Sequence, residues 1–414
     1  MDRGNARVIA LMKKGVTIKN PGSVTIGEAV DLDRISGDGV IIHPGCRIHG
    51  QKTFIMKGTQ LGEEAPVTVR DCQFAPNVKI KGGFCTESVF LAGASLGSGA
   101  HVRGGTILEE EASGAHTVGL KQTILFPFVT LGSLINFCDC MMSGGTSRTD
   151  HSEVGSSYIH FNFTPNQDKA TPSLLGDVPR GVMLNQRPIF LGGQGGLVGP
   201  CRLEFGTVTA AGSINRKDEL RPGQLIVSPS LRGGSFPFKV GGYGNINRIV
   251  THNLFYIANL VALMGWYRFV RGAFVSDQFT RELQQGLIEK TQMALAERIK
   301  RLGGVADKIK NTLHTGGTPS AGAFGAQQAE LVRQWNALED RLGELVTFHG
   351  DERNKDLFLE KLLTVKQALK GPYLTVIKGL DEVAVKSGTQ WLQVVVNHIM
   401  AQCLELLPSF GKQR

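Results

Sequence analysis

Two histidines stand where they could move a proton. His160 lies in the run Ile159-His-Phe-Asn-Phe163, two residues before Asn162, so on a strand both side chains would face one way. His151 follows Asp150, a carboxylate that could orient its ring. An imidazole titrating near neutrality suits general-base work. Each of the two reads equally as a structural or surface histidine, and so do His101 and His116, which border Arg103. Arg103, ahead of Gly104-Gly105, reads by itself as a solvated corner residue. Cys138-Asp-Cys140, with His151 and His160 nearby, lacks the usual zinc spacing. On an alternating strand both thiols would point into the interior as small hydrophobes, and no metal site is expected.

The elements that must carry these residues have a period of six. From Val16 to about Val227 a small or branched apolar residue recurs at every sixth position, separated by Gly, Asn, Asp and Ser. One set is Ile18, Val24 and Val30, another Ile42, Ile48 and Phe54. The longest runs Cys72, Val78, Phe84, Phe90, Leu96, Val102 and Leu108, and a late one is Leu191, Leu197 and Leu203. Short strands with inward central residues, and corners of residues that tolerate positive φ, give a parallel β-helix whose apolar positions stack every third repeat. A β-sandwich would instead show turns every 8–12 residues and alternation of period two.

Segments 165–187 and 143–150 read as loops leaving the coils, and such excursions commonly line a binding face. A Ser-, Gly- and Pro-rich segment, 228–252, follows the solenoid (1–227) as a linker or wrapping stretch, and 253–414 is helical. Spacings of three and four predict helices over 253–275, 276–302, 327–348, 351–369 and about 382–407. Leu331, Trp335, Leu338, Leu342 and Leu345 form a packing stripe, and nothing on these helices demands chemistry.

Composition narrows the function classes. The 414 residues carry a formal charge of +9 without a basic tail or stripe, which argues against a nucleic-acid binder. Seven scattered cysteines fit reduced thiols and a cytoplasmic protein. The apolar run from Leu254 to Tyr267 is too short to span a bilayer, so a buried helix is expected and no membrane insertion.

Three runs carry a family resemblance: Gly132-Ser-Leu-Ile-Asn-Phe-Cys-Asp139, Ile159-His-Phe-Asn-Phe163 and Leu174-Leu-Gly-Asp177. With Ile189-Phe-Leu-Gly-Gly193, Gly196-Leu-Val-Gly-Pro200 and Ala210-Ala-Gly212, they resemble, over about 100–227, the acetyltransferase half of the bifunctional uridyltransferase/glucosamine-1-phosphate acetyltransferase GlmU. The resemblance implies a left-handed parallel β-helix of hexapeptide repeats, against the usual right-handed crossover preference. It also implies a homotrimer with acetyl-CoA as co-substrate and a phosphorylated or nucleotide-linked amino sugar as acceptor, bound between subunits. In that family a histidine takes a proton from the sugar amine; at its place stands Ser133, and Asn136 replaces a tyrosine three residues on. Arg103 matches a sugar-phosphate arginine, Asn162-Phe163 an Asn-Tyr pair and Lys169 a lysine of the excursion. Ala210 and Ala211 match the place where the pantetheine arm lies. His160 and His151 are then the candidates for the missing base. The family's Gly-rich nucleotide loop has no counterpart here, so uridyltransferase chemistry is not expected. Two readings follow: an acyltransferase, or a binding or scaffold protein that kept the solenoid and lost catalysis.

Overall fold

The computed structural model describes residues 3–228, 233–235, 243, 245–314 and 323–411. Between Thr17 and Ile226 the chain winds a triangular parallel β-solenoid. Eleven strands form the first face, from Thr17–Ile18 to Leu225–Ile226. The second and third faces share sixteen strands, because two eight-residue strands, Val118–Leu125 and Ile135–Met142, bend round the corner between them. Ile18, Ile42, Leu61, Ile80 and Leu96 stack inward as a ladder under the first face. Under the second face the ladder is Val102, Leu120, Phe137, His160 and Leu197. Each fully buried aliphatic or aromatic side chain contributes roughly 1.5–3 kcal/mol, so the ladders carry the stability of the coils.

The six-residue phase slips by one in two places. Ile55 and Cys85 face inward where Phe54 and Phe84 were expected to. Phe84 instead lies outside, its ring 5.2 Å from that of His101.

Eight α-helices complete the described fold: α1 (Arg3–Lys14), α2 (Val178–Gly181), α3 (Ile246–Gly265), α4 (Arg281–His314), α5 (Ala323–Leu345), α6 (Glu352–Leu369), α7 (Tyr373–Lys378) and α8 (Glu382–Leu406). The repeat pattern did not announce α1. It seats Val8 and Leu11 on the first coil, where an open solenoid end needs a cap. Of the expected linker, 229–232, 236–242 and 244 lie outside the described residues; its last part is already helix, since α3 begins at Ile246.

Helices α3 and α4 lie against the third face. Its outward positions Val89, Ile107, Ile124, Met141 and Leu174 stand in register and are all buried. That is why this face reads as adjacent apolar pairs such as Val89-Phe90, Ile107-Leu108 and Ile124-Leu125: a strand covered on both sides buries neighbouring residues alike. Asn253 donates to the Ala170 carbonyl at 2.9 Å and Asn259 accepts from the Val178 amide at 3.0 Å, which fixes α3 along the coils. The segment Ile246–Phe274 is long and apolar enough to cross a membrane, but 78% of its most apolar window is buried inside the protein, as expected of a core helix.

One buried cluster at this seam titrates. Tyr267 donates to Glu109 at 2.6 Å, Arg271 pairs with Glu110, and the Arg271 guanidinium lies 3.8 Å from the Tyr373 ring centroid. Two carboxyls face one guanidinium. Burial, then the neighbouring Glu110, pushes the Glu109 carboxyl up to about 7. A raised acid binds its proton more tightly folded than unfolded, so its contribution is full below the ordinary carboxyl range and is lost as pH rises through about 7. Glu109→Gln keeps an acceptor for Tyr267 and removes that loss. The variant is expected to exceed wild type by about 1–3 kcal/mol in urea unfolding at pH 8, and to match it near pH 4.5. An equal difference at both pH values would refute the titration.

Candidate functional site

The site is built from the outward positions of the second face. Strands Ala100–Arg103, Val118–Leu125 and Ile135–Met142 place Arg103, Lys121 and Cys138 in register, one above the next. Arg103 Nη2 lies 3.5 Å from Cys138 Sγ, and that thiol is 3.5 Å from Asn136 Oδ1. Burial pushes the Cys138 thiol up, and Arg103, Lys121 and Lys169 pull against it. Arg103 and Lys121 thus stand in register beside the Asn136 amide, with Lys169 near enough to act on the thiol and the Asp139 carboxylate acting against all three; cations so placed suit a phosphate.

The corner after Cys138 fixes the next shell. Asp139 takes a left-handed conformation (φ 62°), which swings Cys138 outward and Cys140 inward. The expectation that both thiols face the interior therefore holds for Cys140 alone. Asp139 is buried and accepts from Arg298 Nη2 of α4 at 2.6 Å and from Asn162 Nδ2 at 2.8 Å. Arg298, itself 1% exposed, also donates to the Lys169 carbonyl at 3.0 Å. Lys308 bonds the carbonyls of Asn166 and Gln167, each at 2.6 Å, and Tyr243 bonds Asp168 at 3.2 Å. The excursion is thus pinned from the helical region, with Lys169 Nζ 6.0 Å from the exposed Phe163 ring. The 165–187 loop is in fact two excursions, because Ser173–Leu175 re-enters the solenoid as a strand.

Helix α4 supplies a wall. Met293 Cε lies 3.4 Å from where a side chain on Gly104 would begin. Burial raises the Glu297 carboxyl, but the Arg301 hydrogen bond at 2.8 Å, with Arg298 and Lys121 around it, holds it below the usual range. Behind the excursion a cleft of about 780 Å³ runs between Lys169 and the α4–α5 pair, lined by Lys300, Arg301, Lys308 and Trp335.

Ser133 stands at the corner between the first and second faces. Its Oγ is 2.9 Å from His116 Nδ1, one coil earlier, and its amide donates to Ser156 Oγ at 3.1 Å. From there the corner continues over Gly155, Gly192 and Gly193 to Ala210 and Ala211. A Cβ on Gly192 would come within 2.4 Å of the Ala211 backbone, so close coil stacking keeps this corner bare of side chains. At roughly 4.8 Å per coil, Ser133 and Ala211 are about 15 Å apart along the solenoid.

Neither expected base belongs to this site. His160 is 2% exposed and occupies the interior ladder: Nδ1 is 2.6 Å from the Cys138 carbonyl and Nε2 2.8 Å from Ser173 Oγ. Burial lowers its pKa to about 4, and with both nitrogens occupied and no path to solvent it cannot take a proton from a bound substrate. His151 lies in an antiparallel ribbon, Gly145–Ser147 with Asp150–His151, at the corner between the third and first faces, away from Arg103. Asp150 accepts from Thr146 at 2.7 Å rather than orienting the ring, and His151 Nε2 is 3.8 Å from Glu153. Arg103, Asn136, Asn162, Phe163 and Lys169 are brought together, with Ser133 at the head of the same strand as Asn136. Lys121 was missed in the sequence, although it follows Arg103 by one full coil of eighteen residues. Arg298 carried no sequence signal, because its partner lies 159 residues away.

A triangular parallel solenoid of hexapeptide repeats is a hexapeptide-repeat acyltransferase-like fold. The chain is similar to proteins named bifunctional protein GlmU: 27% identical over 216 residues to that of Thermotoga petrophila, 27% over 219 to that of Pelobacter propionicus and 28% over 207 to that of Trichormus variabilis. These matches cover 51, 53 and 50% of this chain, more than the 100–227 stretch on which the resemblance was first drawn. The chain spans about two fifths of the length of these relatives, 42, 42 and 40%. No family model matches. The part that it resembles is the C-terminal left-handed β-helix acetyltransferase domain of GlmU.

Proposed function

We propose that the protein transfers an acetyl or related acyl group from coenzyme A to the amino group of a phosphorylated or nucleotide-linked amino sugar. The observation that carries this reading is the convergence of Arg103, Lys121 and Lys169 on the Asn136–Cys138 patch. The cations take the phosphate, the Asn136 and Asn162 amides lie beside the sugar, and the bare corner down to Ala210 and Ala211 takes the pantetheine arm. The cleft behind Lys169 has room for a nucleotide. The seven cysteines are all free and buried, in keeping with a cytoplasmic enzyme.

A homotrimer completes the site. Phe190, Val208 and Leu225 form an exposed apolar ladder on the first face, and Leu134, Ile159 and Phe161 are exposed on the second. Contiguous exposed apolar surface of this kind marks an interface. Light scattering is expected to give three times the 44.7 kDa subunit mass, and a smaller species for Phe190→Asp/Leu225→Asp. A single-subunit mass for the wild type would sink the trimer.

A second reading, a catalytically lapsed sugar-nucleotide-binding or scaffold protein, is favoured by the absence of a histidine at Ser133 and by the burial of His160. Calorimetric titration separates the two. Micromolar binding of acetyl-CoA, displaced by free coenzyme A, is the result expected of the transferase. Binding of UDP-N-acetylglucosamine alone would favour the scaffold.

A further inference from the structure

We infer that Ser133 and His116 form the proton relay of this site; the inference rests on the acyl-transfer reading. The two side chains meet at 2.9 Å, Oγ to Nδ1. A hydroxyl and an imidazole at that distance are the general arrangement by which a weak proton acceptor is made effective.

The pair is held from both sides by backbone. Ser133 N donates to Ser156 Oγ at 3.1 Å in the coil that follows, and Leu134 N donates to the His116 carbonyl at 3.1 Å in the coil that precedes. Leu134 is left-handed (φ 59°), the turn that brings the chain round the corner and leaves the Ser133 hydroxyl outward. Both strands of the trough start here: His116 precedes Val118–Leu125, which carries Lys121, and Ser133 precedes Ile135–Met142, which carries Asn136. Asn136 follows Ser133 by three positions, so the hydroxyl is within about 10 Å of the phosphate-binding patch, the span of one sugar ring and its phosphate. Unlike His160, His116 is exposed and open to substrate.

The step balances without any further reagent. The substrate amine attacks the thioester carbonyl, the C–N bond forms and the C–S bond breaks. The nitrogen gives one proton to Ser133 Oγ while the serine passes its own to His116 Nδ1. The imidazolium then returns that proton to the departing coenzyme A thiolate, and serine and histidine end as they began.

The test uses the full-length protein with acetyl-CoA and glucosamine 1-phosphate, followed by thiol release. His116→Gln is expected to lose roughly 100- to 10,000-fold in kcat. The KM of either substrate should stay within a few-fold, the acid limb of the pH–rate profile should vanish, and the melting curve should not change. Ser133→Ala is expected to fall less, because water can fill the gap. The double variant His116→Gln/Ser133→His, which puts an imidazole directly on the trough, should regain at least tenfold over His116→Gln. Wild-type turnover with His116→Gln within threefold of it would overturn the relay and leave the transferase standing. An acetyl ester on Ser133, seen by intact-protein mass, would also overturn it. Wild type that transfers nothing overturns the transferase reading and the relay together.

Discussion

Arg298→Ala is expected to lose about 3–5 kcal/mol of stability and to lose sugar-phosphate binding with it. Arg298 ties three parts of the site together: it pairs with Asp139 at 2.6 Å, Asp139 holds Asn162 at 2.8 Å, and the same guanidinium holds the Lys169 carbonyl at 3.0 Å. Removing it leaves Asp139, whose side chain is 6% exposed, as an unpaired buried charge. That desolvation cost, rather than the attraction lost, dominates the effect. Urea unfolding followed by tryptophan fluorescence measures the stability, and calorimetry with glucosamine 1-phosphate measures the binding. Arg298→Ala/Asp139→Asn should recover most of the stability, because the stranded charge is gone. It should not recover binding, because the excursion stays unpinned. If the double variant is as unstable as the single one, Arg298 acts by packing and the account of the pair is wrong.

Lys121→Ala is expected to raise KM for a phosphorylated acceptor by about 10- to 100-fold with kcat little changed. A charge-assisted hydrogen bond lost from ground state and transition state alike gives that pattern, at about 1.5–3 kcal/mol. Unphosphorylated glucosamine serves as the control, since a lysine that meets only phosphate leaves its KM unchanged. Raising the salt should weaken binding of the phosphorylated acceptor in wild type and do so less in the variant. Equal losses with both acceptors would place Lys121 elsewhere in the reaction. The residue is exposed to this test because Arg103 and Cys138 flank it in register, so its removal leaves the strand intact.

The solenoid was legible because its physics is local. Six residues make one strand and one corner, so the pair Ile42 and Ile48 and the run Leu96, Val102 and Leu108, all inward, announce the coil without any long-range information. The helices were legible for the same reason, and α6 and α8 begin within a residue of their expected starts. The phase of the ladders was harder. Phe54 and Phe84 are large and apolar, yet an outside neighbour over one ring face, the Arg34 guanidinium for Phe54 and the His101 ring for Phe84, satisfies them as well as burial within. The place of His160 was hard to read for a related reason. Alternation along Ile159–Phe161 says which residues share a side, but not which side is the interior, and polar partners at the Cys138 carbonyl and Ser173 let an imidazole stand in the apolar ladder.

The candidate site was half legible. Arg103, Asn136, Asn162, Phe163 and Lys169 came from the family resemblance, and the fold gathers them. Lys121 could have been found from the coil length alone. His116 could have been found once Ser133 was known to sit at a corner, since the residue one coil earlier must be its neighbour. The part played by α4 was not available by any local rule. Arg298 reaches across 159 residues of sequence, and the clearest hint was the adjacent apolar pairs of the third face, which say only that something covers it.

The measurement that bears most directly on this account is acetyl-CoA-dependent acetylation of glucosamine 1-phosphate and of a UDP-linked amino sugar by the full-length protein, read as thiol release and product mass. Turnover of at least one acceptor is expected, with a kcat/KM that falls sharply in Arg103→Ala and Lys121→Ala. Sugar-nucleotide binding with no acetyl transfer to either acceptor would contradict it and leave the solenoid as a binding scaffold.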